Sequence, residues 1–522
     1  IARALAAKPD ILLLDEPLSW LYVIDREAGK IAFYKLKGSE APELVEVQDA
    51  GSKITEARYL AGGISIVVAQ ADGKVTQWFP ARRGEEGAYY LARVREFKVR
   101  SGSPVTAIGP ELRRRGFAVG DATGQVTMFY ATSGSRNHEE QVFDKPVERI
   151  AFNPRAKLMM ALSADGQLRV NDVHNEHPEV SLSSLWGRVW YESYDEPKFL
   201  YQASSASSDF EPKFSLTPLA LGTIKGAFYA MIFAIPLAVL GAIFTANFMS
   251  AEMRQVVKPA VEVLAALPSV ILGFLAGLWL APFVETNLPG VFLTLLLLPL
   301  SMPLFGYLWM RMPRALRLRV PPGWEAALLI PVIAFVVWLC FLAAHPIEYL
   351  FFSGNMQSWM DQTLGISYIQ RNSLVVGIAM GIAVIPVIFS IAEDAIFSVP
   401  KHLTLGSLAL GATPWQTLIG VVLPTASPGI FSAVMIGMGR AVGETMIVLM
   451  ATGNTAVMDL SLFSGMRTLA ANVAVEMPES EVGSTHFRLL FLAGLVLFIF
   501  TFLLNTLAEV VRSRLRKKYS SL

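Results

Sequence analysis

One cysteine in 522 residues, Cys340, excludes an intrachain disulfide, and its place in an apolar run argues against a redox or metal role. Histidine is scarce too, with six residues. His138, His174 and His177 fall in polar stretches without metal-ligand spacing and read as solvated. Charge is thin: Asp, Glu, Lys and Arg make up 17% of the chain, against about a quarter in an average soluble domain. The formal net charge of +1 removes the electrostatic reason to expect nucleic acid as a partner. No Gly-rich loop followed by Lys-Ser/Thr occurs anywhere, which excludes that way of cradling nucleotide phosphates. Nothing in the pattern asks for a cofactor.

Apolar sequence, in contrast, is plentiful and unevenly spread. Hydrophobic residues make up 53% of the chain and the mean hydropathy is +0.45, too apolar for an ordinary soluble protein and too polar for membrane helices alone. Residues 1–216 carry most of the charge. From Leu219 onward, long apolar runs alternate with short polar loops. Seven runs reach the length of roughly 20 residues needed to cross a hydrocarbon layer. They lie near 217–247, 262–284, 289–310, 325–345, 373–391, 425–453 and 487–511. Prolines such as Pro236, Pro268 and Pro386 interrupt several, which a bundle tolerates when neighbouring helices satisfy the freed backbone groups. Three pairs of small residues four apart, Gly273/Gly277, Gly377/Gly381 and Gly439/Gly443, are positions where helix backbones can approach closely. The fold class that follows is an all-α membrane bundle behind an all-β domain.

Loop charge sets the orientation. With the C-terminus inside, the inner loops hold Arg254, Lys258, Arg311, Arg314, Arg317, Arg319 and Lys401, and the tail adds Arg512, Arg514, Arg516, Lys517 and Lys518. The long outer loops, 346–372 and 454–486, hold only Arg371 and Arg467 beside acids such as Asp361, Asp459, Glu476, Glu479 and Glu481. The positive-inside rule favours this arrangement. Seven crossings then place residues 20–216 outside, in the periplasm.

The soluble half repeats itself. "REAGKIAFY", "ADGKVTQWF", "ATGQVTMFY" and "ADGQLRVND" share a turn at Gly29, Gly73, Gly124 and Gly166, spaced 44, 51 and 42 residues apart. Alternating strands joined at a glycine turn are a hairpin signal. A period of about 40–50 residues is that of a propeller blade. Four such units predict a propeller-like, WD40-like domain over 20–180 that is incomplete as a ring; a generic β domain is the other reading. Residues 181–216 read as a linker to the bundle at 217–522.

Two segments of the bundle carry chemistry. Between the fifth and sixth crossings lies "SLALGATPWQTLIGVVLP", Ser407 to Pro424. It resembles the coupling loop of ABC importer permeases, a short helix–turn that enters a groove on the ATPase. In that reading Ala409, Gly411 and Ala412 form the turn, where only glycine avoids the Cβ penalty, and Leu423 and Pro424 close the segment. Next comes "GMGRAVGETMIVLMATGN", Gly437 to Asn454. On a continuous helix Arg440 lies roughly 22 Å beyond Thr425, with Glu444 one turn further on the same face. Charges at such depth mark a pathway or a pair lining a cavity. Arg440 would be the counter-charge for an anion, and Glu444 would orient it; a structural ion pair is the alternative. Lys225, in "GTIKGAFYAMIFAIPLA", is a second intramembrane cation, placed either to draw an anion inward or to snorkel to the outer face.

Here the resemblance sharpens to the phosphate permeases of ABC importers, the PstC family in its long form. It rests on "VVKPAVEVLAALPSVILGFLAGLWLAPF", "EDAIFSVPKHLTLGSLALGATPWQT" and "MRTLAANVAVEMPESEVGSTHFRLLFLAGL" and covers residues 181–522, with the crossings near 289–345 as an insertion. The motif's usual Glu-Ala-Ala opening reads Leu405-Gly406-Ser407. The resemblance implies a multi-pass bacterial inner-membrane permease importing inorganic phosphate. It also implies, as partners beside membrane lipid, a second permease subunit, an ATPase dimer that hydrolyses the ATP, and a periplasmic phosphate-binding protein. A central arginine suits other oxyanions as well. A membrane-anchored propeller acting as sensor or scaffold is a further reading.

The first 19 residues differ. "IARALAAKPDILLLDEPLS" resembles the core of an ABC ATPase, with Asp15 and Glu16 as the pair that would hold magnesium-bound water and activate it. The rest of that enzyme's machinery is missing, so the segment is expected to be inactive. Long members of the permease family begin with a membrane helix ahead of the soluble domain, and none precedes Leu219. The expectation is a junction near Ser19–Leu21.

Overall fold

Four antiparallel meanders, each built around one of the repeated glycine turns, fill the first part of the chain. The structure, a computed structural model, describes residues 11–14, 20–36, 42–84, 87–99, 102–205, 210–313, 320 and 328–519. They form two units, residues 1–217 with 483–486 and residues 218–482 with 487–522.

In the first unit, β1 (Ile11–Leu14), β2 (Trp20–Asp25), β3 (Lys30–Lys35) and β4 (Glu43–Asp49) make the first sheet. The second holds β5 (Ile54–Tyr59), β6 (Ile66–Gln70), β7 (Lys74–Arg82) and β8 (Tyr89–Lys98). The third holds β9 (Val105–Pro110), β10 (Gly116–Asp121), β11 (Gln125–Tyr130) and β12 (Arg136–Gln141). The fourth has three strands, β13 (Val147–Phe152), β14 (Leu158–Ser163) and β15 (Leu168–Asp172). Gly29, Gly73, Gly124 and Gly166 occupy the equivalent hairpin of each sheet, with φ of +65°, +80°, +89° and +83°. Glycine alone reaches that region without steric cost. A nearby aspartate ties down each turn: Asp121 Oδ1, for one, accepts the backbone N–H groups of Thr123 at 2.9 Å and Gln125 at 3.0 Å.

Alternation along the strands gives each sheet two apolar faces, and each gap between successive sheets is a core. Tyr22, Ile31 and Phe33 meet Ile54, Ile66 and Trp78 in the first gap. Val67, Val75 and Phe97 meet Val105, Phe117 and Phe129 in the second. Ala118, Val126 and Met128 meet Val147, Ile150 and Met159 in the third. Burying each large side chain contributes about 1.5–3 kcal/mol. The sheets therefore stack as propeller blades do, and the array is not closed. On the fourth sheet Leu158, Met160, Leu168 and Val170 are exposed.

The described part of the expected linker, residues 181–205 and 210–216, has structure of its own within the first unit. A short capped helix (Leu182–Trp186), a bridge from Val189 to Lys198 and the pair Tyr201–Gln202 with Lys213–Phe214 organise them. Arg115 pairs with Glu192 at 2.6 Å, and Arg95 donates to the Trp190 carbonyl at 2.6 Å. The apolar strand expected at Ile11–Leu14 is present, as an antiparallel edge strand on β2. Asp15 and Glu16 lie outside the described residues.

Among the described residues, seven helices of the second unit are long and apolar enough to cross a membrane. They are Thr217–Asn247, Ser269–Thr286, Leu288–Arg311, Leu329–Phe351, Ser373–Phe397, Pro414–Val442 and Thr485–Leu515. The fifth is the centre: 67% of its most apolar window is buried, against 6% and 11% for the third and fourth. The third and fourth therefore form a peripheral pair. On the first crossing Ala230, Ala234, Ala238 and Ala242, four residues apart, are completely buried and let neighbours pack close. A Cβ on Gly273 or Gly277 would strike the Met446 or Met450 carbonyl at 2.7 and 2.4 Å. Gly439 and Gly443 face no such neighbour among the described residues.

Candidate functional site

Local rules place the coupling segment. Helix Lys401–Ala409 ends at Leu410, and Gly411 turns the chain with φ +91°. Thr413 then caps the next helix, its hydroxyl accepting the Gln416 N–H at 3.3 Å while the Gln416 side chain accepts the Thr413 N–H at 2.8 Å. This reciprocal capping box satisfies two orphan donors. No side chain of helix 401–409 is fully buried, and Leu405, Leu408 and Leu410 are exposed. An apolar face of that kind, on a short helix ended by a glycine turn, is available to a partner. Ala409 and Ala412 flank the turn.

Leu423 and Pro424 do not close the segment. They lie inside one helix running from Pro414 to Val442, through a π-helical turn at Leu418–Val422. Pro424 has no N–H to give and its ring crowds the carbonyl four residues back. The wider π turn, in which the Leu423 N–H reaches the Leu418 carbonyl, takes up that misfit.

The expected continuous helix over 425–453 is interrupted. It stops at Val442, and a short helix, Met446–Ala451, follows after Gly443–Thr445. Glu444 is therefore not one helical turn beyond Arg440. Its Oε1 accepts the backbone N–H groups of Thr445 and Met446 at 3.1 Å and of Ile447 at 3.3 Å. A carboxylate there satisfies orphan donors and opposes the positive end of the helix dipole. Arg440 sits in the last turn before the break, is exposed, and has no ion-pair partner among the described residues. A lone exposed arginine in a membrane-spanning helix must face water, an anion or another chain.

Lys225 is 3% exposed, and its Nζ donates to Ser464 Oγ at 2.7 Å. Ser464 belongs to the loop after the broken helix, which folds back among the crossings. Its carbonyl accepts the Ser373 N–H at 3.0 Å, and the Leu462 carbonyl accepts the Leu374 N–H at 3.0 Å. Thr452 Oγ1 donates to the Met466 carbonyl at 2.8 Å, and Thr223 Oγ1 accepts the Leu469 N–H at 3.0 Å. Irregular backbone among membrane helices persists only when protein satisfies it in this way. The structure thus places Lys225 apart from Arg440 in its contacts, anchoring a loop.

Within the bundle, a buried acid escaped the sequence reading. Glu393, in the last turns of the fifth crossing, is 0% exposed and paired with cations from helix Ala251–Ala265. The available signal was an acid pair, Glu393-Asp394, ending an otherwise uncharged crossing. In the first unit, His138 and His174 are exposed, and the described residues contain no metal-binding group of His, Cys, Asp and Glu.

Seven helices of spanning length among the described residues, with a helix–turn between the fifth and sixth, fit a multi-pass permease bundle. Residues 302–519 match the family described as "Binding-protein-dependent transport system inner membrane component". The chain is 29% identical over 339 residues to the phosphate transport system permease protein PstC of Xylella fastidiosa (strain Temecula1), covering 65% of this chain and 85% of that one. It is 27% identical over 317 residues to the probable ABC transporter permease protein YqgH of Bacillus subtilis (strain 168), covering 61% and 78%. PstC 1 of Mycobacterium tuberculosis is 27% identical over 295 residues, covering 56% and 70%. These similarities support an ABC-type permease over the C-terminal half. The β-propeller domain of Cps50 (Swd1) from Myceliophteria thermophila aligns with 31% of this chain and 50% of that one, at TM-score 0.28 and 12% identity. So slight a likeness carries no argument.

Proposed function

We propose that this chain is the PstC-like permease subunit of an ATP-driven importer that brings inorganic phosphate across the bacterial inner membrane. The coupling segment carries the reading: a short helix with an exposed apolar face, ended by a turn at Gly411 before a second helix capped at Thr413, is what a permease offers to a separate ATPase. Ala409, Gly411 and Ala412 form its turn, while Leu423 and Pro424 set the pitch of the helix behind it. ATP hydrolysis belongs to an ATPase dimer. A second permease subunit completes the passage, and a periplasmic phosphate-binding protein delivers the anion. Residues 20–216 lie on the periplasmic side and the C-terminus in the cytoplasm.

Arg440 is the residue for the anion. Its guanidinium stays charged at any physiological pH and presents several donors to phosphate oxygens. Glu444 shapes the passage indirectly by capping the helix that follows the break, a broken helix being a recurrent site builder in transporters. Lys225 supports the pathway from outside by holding the infolded loop.

The test is reconstitution of the chain with the three other components in proteoliposomes. ATP-dependent phosphate uptake is the expected result. Uptake of another oxyanion in its place would reassign the substrate, and ATP turnover without uptake of any oxyanion would remove the importer reading. An impermeant thiol reagent should label a cysteine placed at 454–486 from outside, and one at 311–313 only from inside.

A further inference from the structure

The inner end of the fifth crossing carries a four-residue ion network. Glu393, fully buried, accepts Lys258 Nζ on Oε2 at 2.8 Å and pairs through Oε1 with Arg254. Lys258 also reaches Asp394 Oδ1 at 2.5 Å, and Asp394 is 66% exposed. The Arg254 guanidinium lies 3.6 Å from the centre of the Phe397 ring. Arg254 and Lys258 are four residues apart on one helix and so share a face.

Where these elements lead gives the network its meaning. Phe397 is followed by Ser398–Pro400 and then by coupling helix 401–409. Helix 251–265 runs, through Pro268, into the second crossing. Neither short helix has a fully buried side chain, so apolar packing alone fastens neither of them firmly. Helix 401–409 has a direct tie to the sixth crossing, the hydroxyls of Ser407 and Thr417 lying 2.9 Å apart. Toward the second crossing its route is the chain through Phe397 and the charges on Glu393. Two cations on one buried acid fix both its position and its direction.

We propose that Glu393 is a positioning residue for coupling. It fastens helix 251–265 to the base of the coupling helix, so that a displacement of 401–409 carries helix 251–265 and the second crossing with it. This rests on the importer reading.

The test uses the assembled transporter in proteoliposomes and reads phosphate imported per ATP hydrolysed. Glu393→Gln should keep ATP hydrolysis within about twofold and lower that ratio at least tenfold. Asp394→Asn, at the exposed acid, should stay within about twofold of wild type, and Arg254→Lys, which keeps the charge, should do the same. If Glu393→Gln fails to assemble, Arg254→Gln, which leaves Lys258 on the acid, should give an intermediate ratio. A wild-type ratio in Glu393→Gln would overturn the proposal. So would an Arg254→Gln complex that imports normally once corrected for its amount.

A second readout does not depend on the substrate. In a Cys340→Ala background, spin labels at Glu252→Cys and Thr404→Cys should show one narrow distance that is unchanged between ATP-bound and ATP-free complexes. Glu393→Gln should broaden it. A distance that shifts through the cycle in the otherwise wild-type chain sinks the fastening, whatever is transported. A constant distance without phosphate uptake would spare the fastening and cost the chain its assigned substrate instead.

Discussion

The β array and the helical bundle solve the same problem, burying apolar surface, with opposite treatments of charge and of distance along the chain. In the array each core lies between sheets adjacent in sequence, and several of its ion pairs are solvent-exposed, such as Lys53–Glu27 and Lys198–Glu196. Exposed pairs are worth about 0–1 kcal/mol each. In the bundle the charges are few, and those that are buried have defined partners far away in sequence: Lys225 with Ser464, Glu393 with Arg254 and Lys258. The array is modular and locally encoded; the bundle is joined by a handful of long-range polar contacts. A water-exposed module can afford loosely held charges. A lipid-embedded one cannot, because an unpaired polar group there costs several kcal/mol.

The comparison breaks hardest at Arg440. Phosphate carries one to two negative charges near neutral pH, and without a counter-charge its passage through a low-dielectric path is very costly. Arg440→Gln should lower import on the order of a hundredfold, from the loss of charge-assisted hydrogen bonds, with assembly intact by co-purification. Because Glu444 bonds backbone rather than Arg440, adding Glu444→Gln should not restore transport. A rescue in the double variant would show a structural pair instead.

At the coupling turn the expected loss is smaller. Gly411→Val forces a β-branched residue to φ +91°, which costs about 1–3 kcal/mol or an altered turn. Import should fall about tenfold or more while the protein still inserts, and ATP hydrolysis should become independent of transport. Unchanged import would detach this turn from the ATPase.

Modularity of the array can be tested at Phe117, which is 0% exposed and packs edge-on to Phe97 at 5.1 Å. Phe117→Ala should cost about 3–5 kcal/mol. The damage should be confined to the second and third sheets: proteolysis should cut residues 54–141 faster and leave the bundle intact. Equal loss of protection in both units would refute the modular reading.

The smallest effect concerns pH. Glu111 is 1% exposed, and burial, only partly offset by the Arg114 guanidinium at 2.8 Å, holds its carboxyl above the ordinary value of 4.5. A carboxyl raised on folding contributes its stability below the unfolded value and loses it as pH rises through the folded one. Glu111→Gln should therefore match wild type near pH 4 and resist proteolysis within the array slightly better near pH 7. A variant that is worse at pH 7 than at pH 4, relative to wild type, would mean the Arg114 pair outweighs burial.

The sequence alone determined what depends on near neighbours. Seven apolar runs of spanning length became seven crossings, because only a helix of about 20 residues closes its own hydrogen bonds across lipid. The glycines at 29, 73, 124, 166 and 411 became left-handed turns, because no other residue adopts that backbone freely. Pro424, by contrast, signalled an end to the coupling segment, yet a π turn absorbed it; that choice depends on how the helix packs. Tertiary structure also decided the break at Gly443–Thr445, which lets Glu444 cap a second helix. It put the Lys225 ammonium on a hydroxyl 239 residues away and the Glu393 carboxylate on Lys258, 135 residues away. Periodicity says which face of a helix is apolar and says nothing of which polar group will lie opposite a buried charge. That is fixed by the register in which the helices pack, set by the summed contacts of the whole bundle rather than by any local stretch of chain.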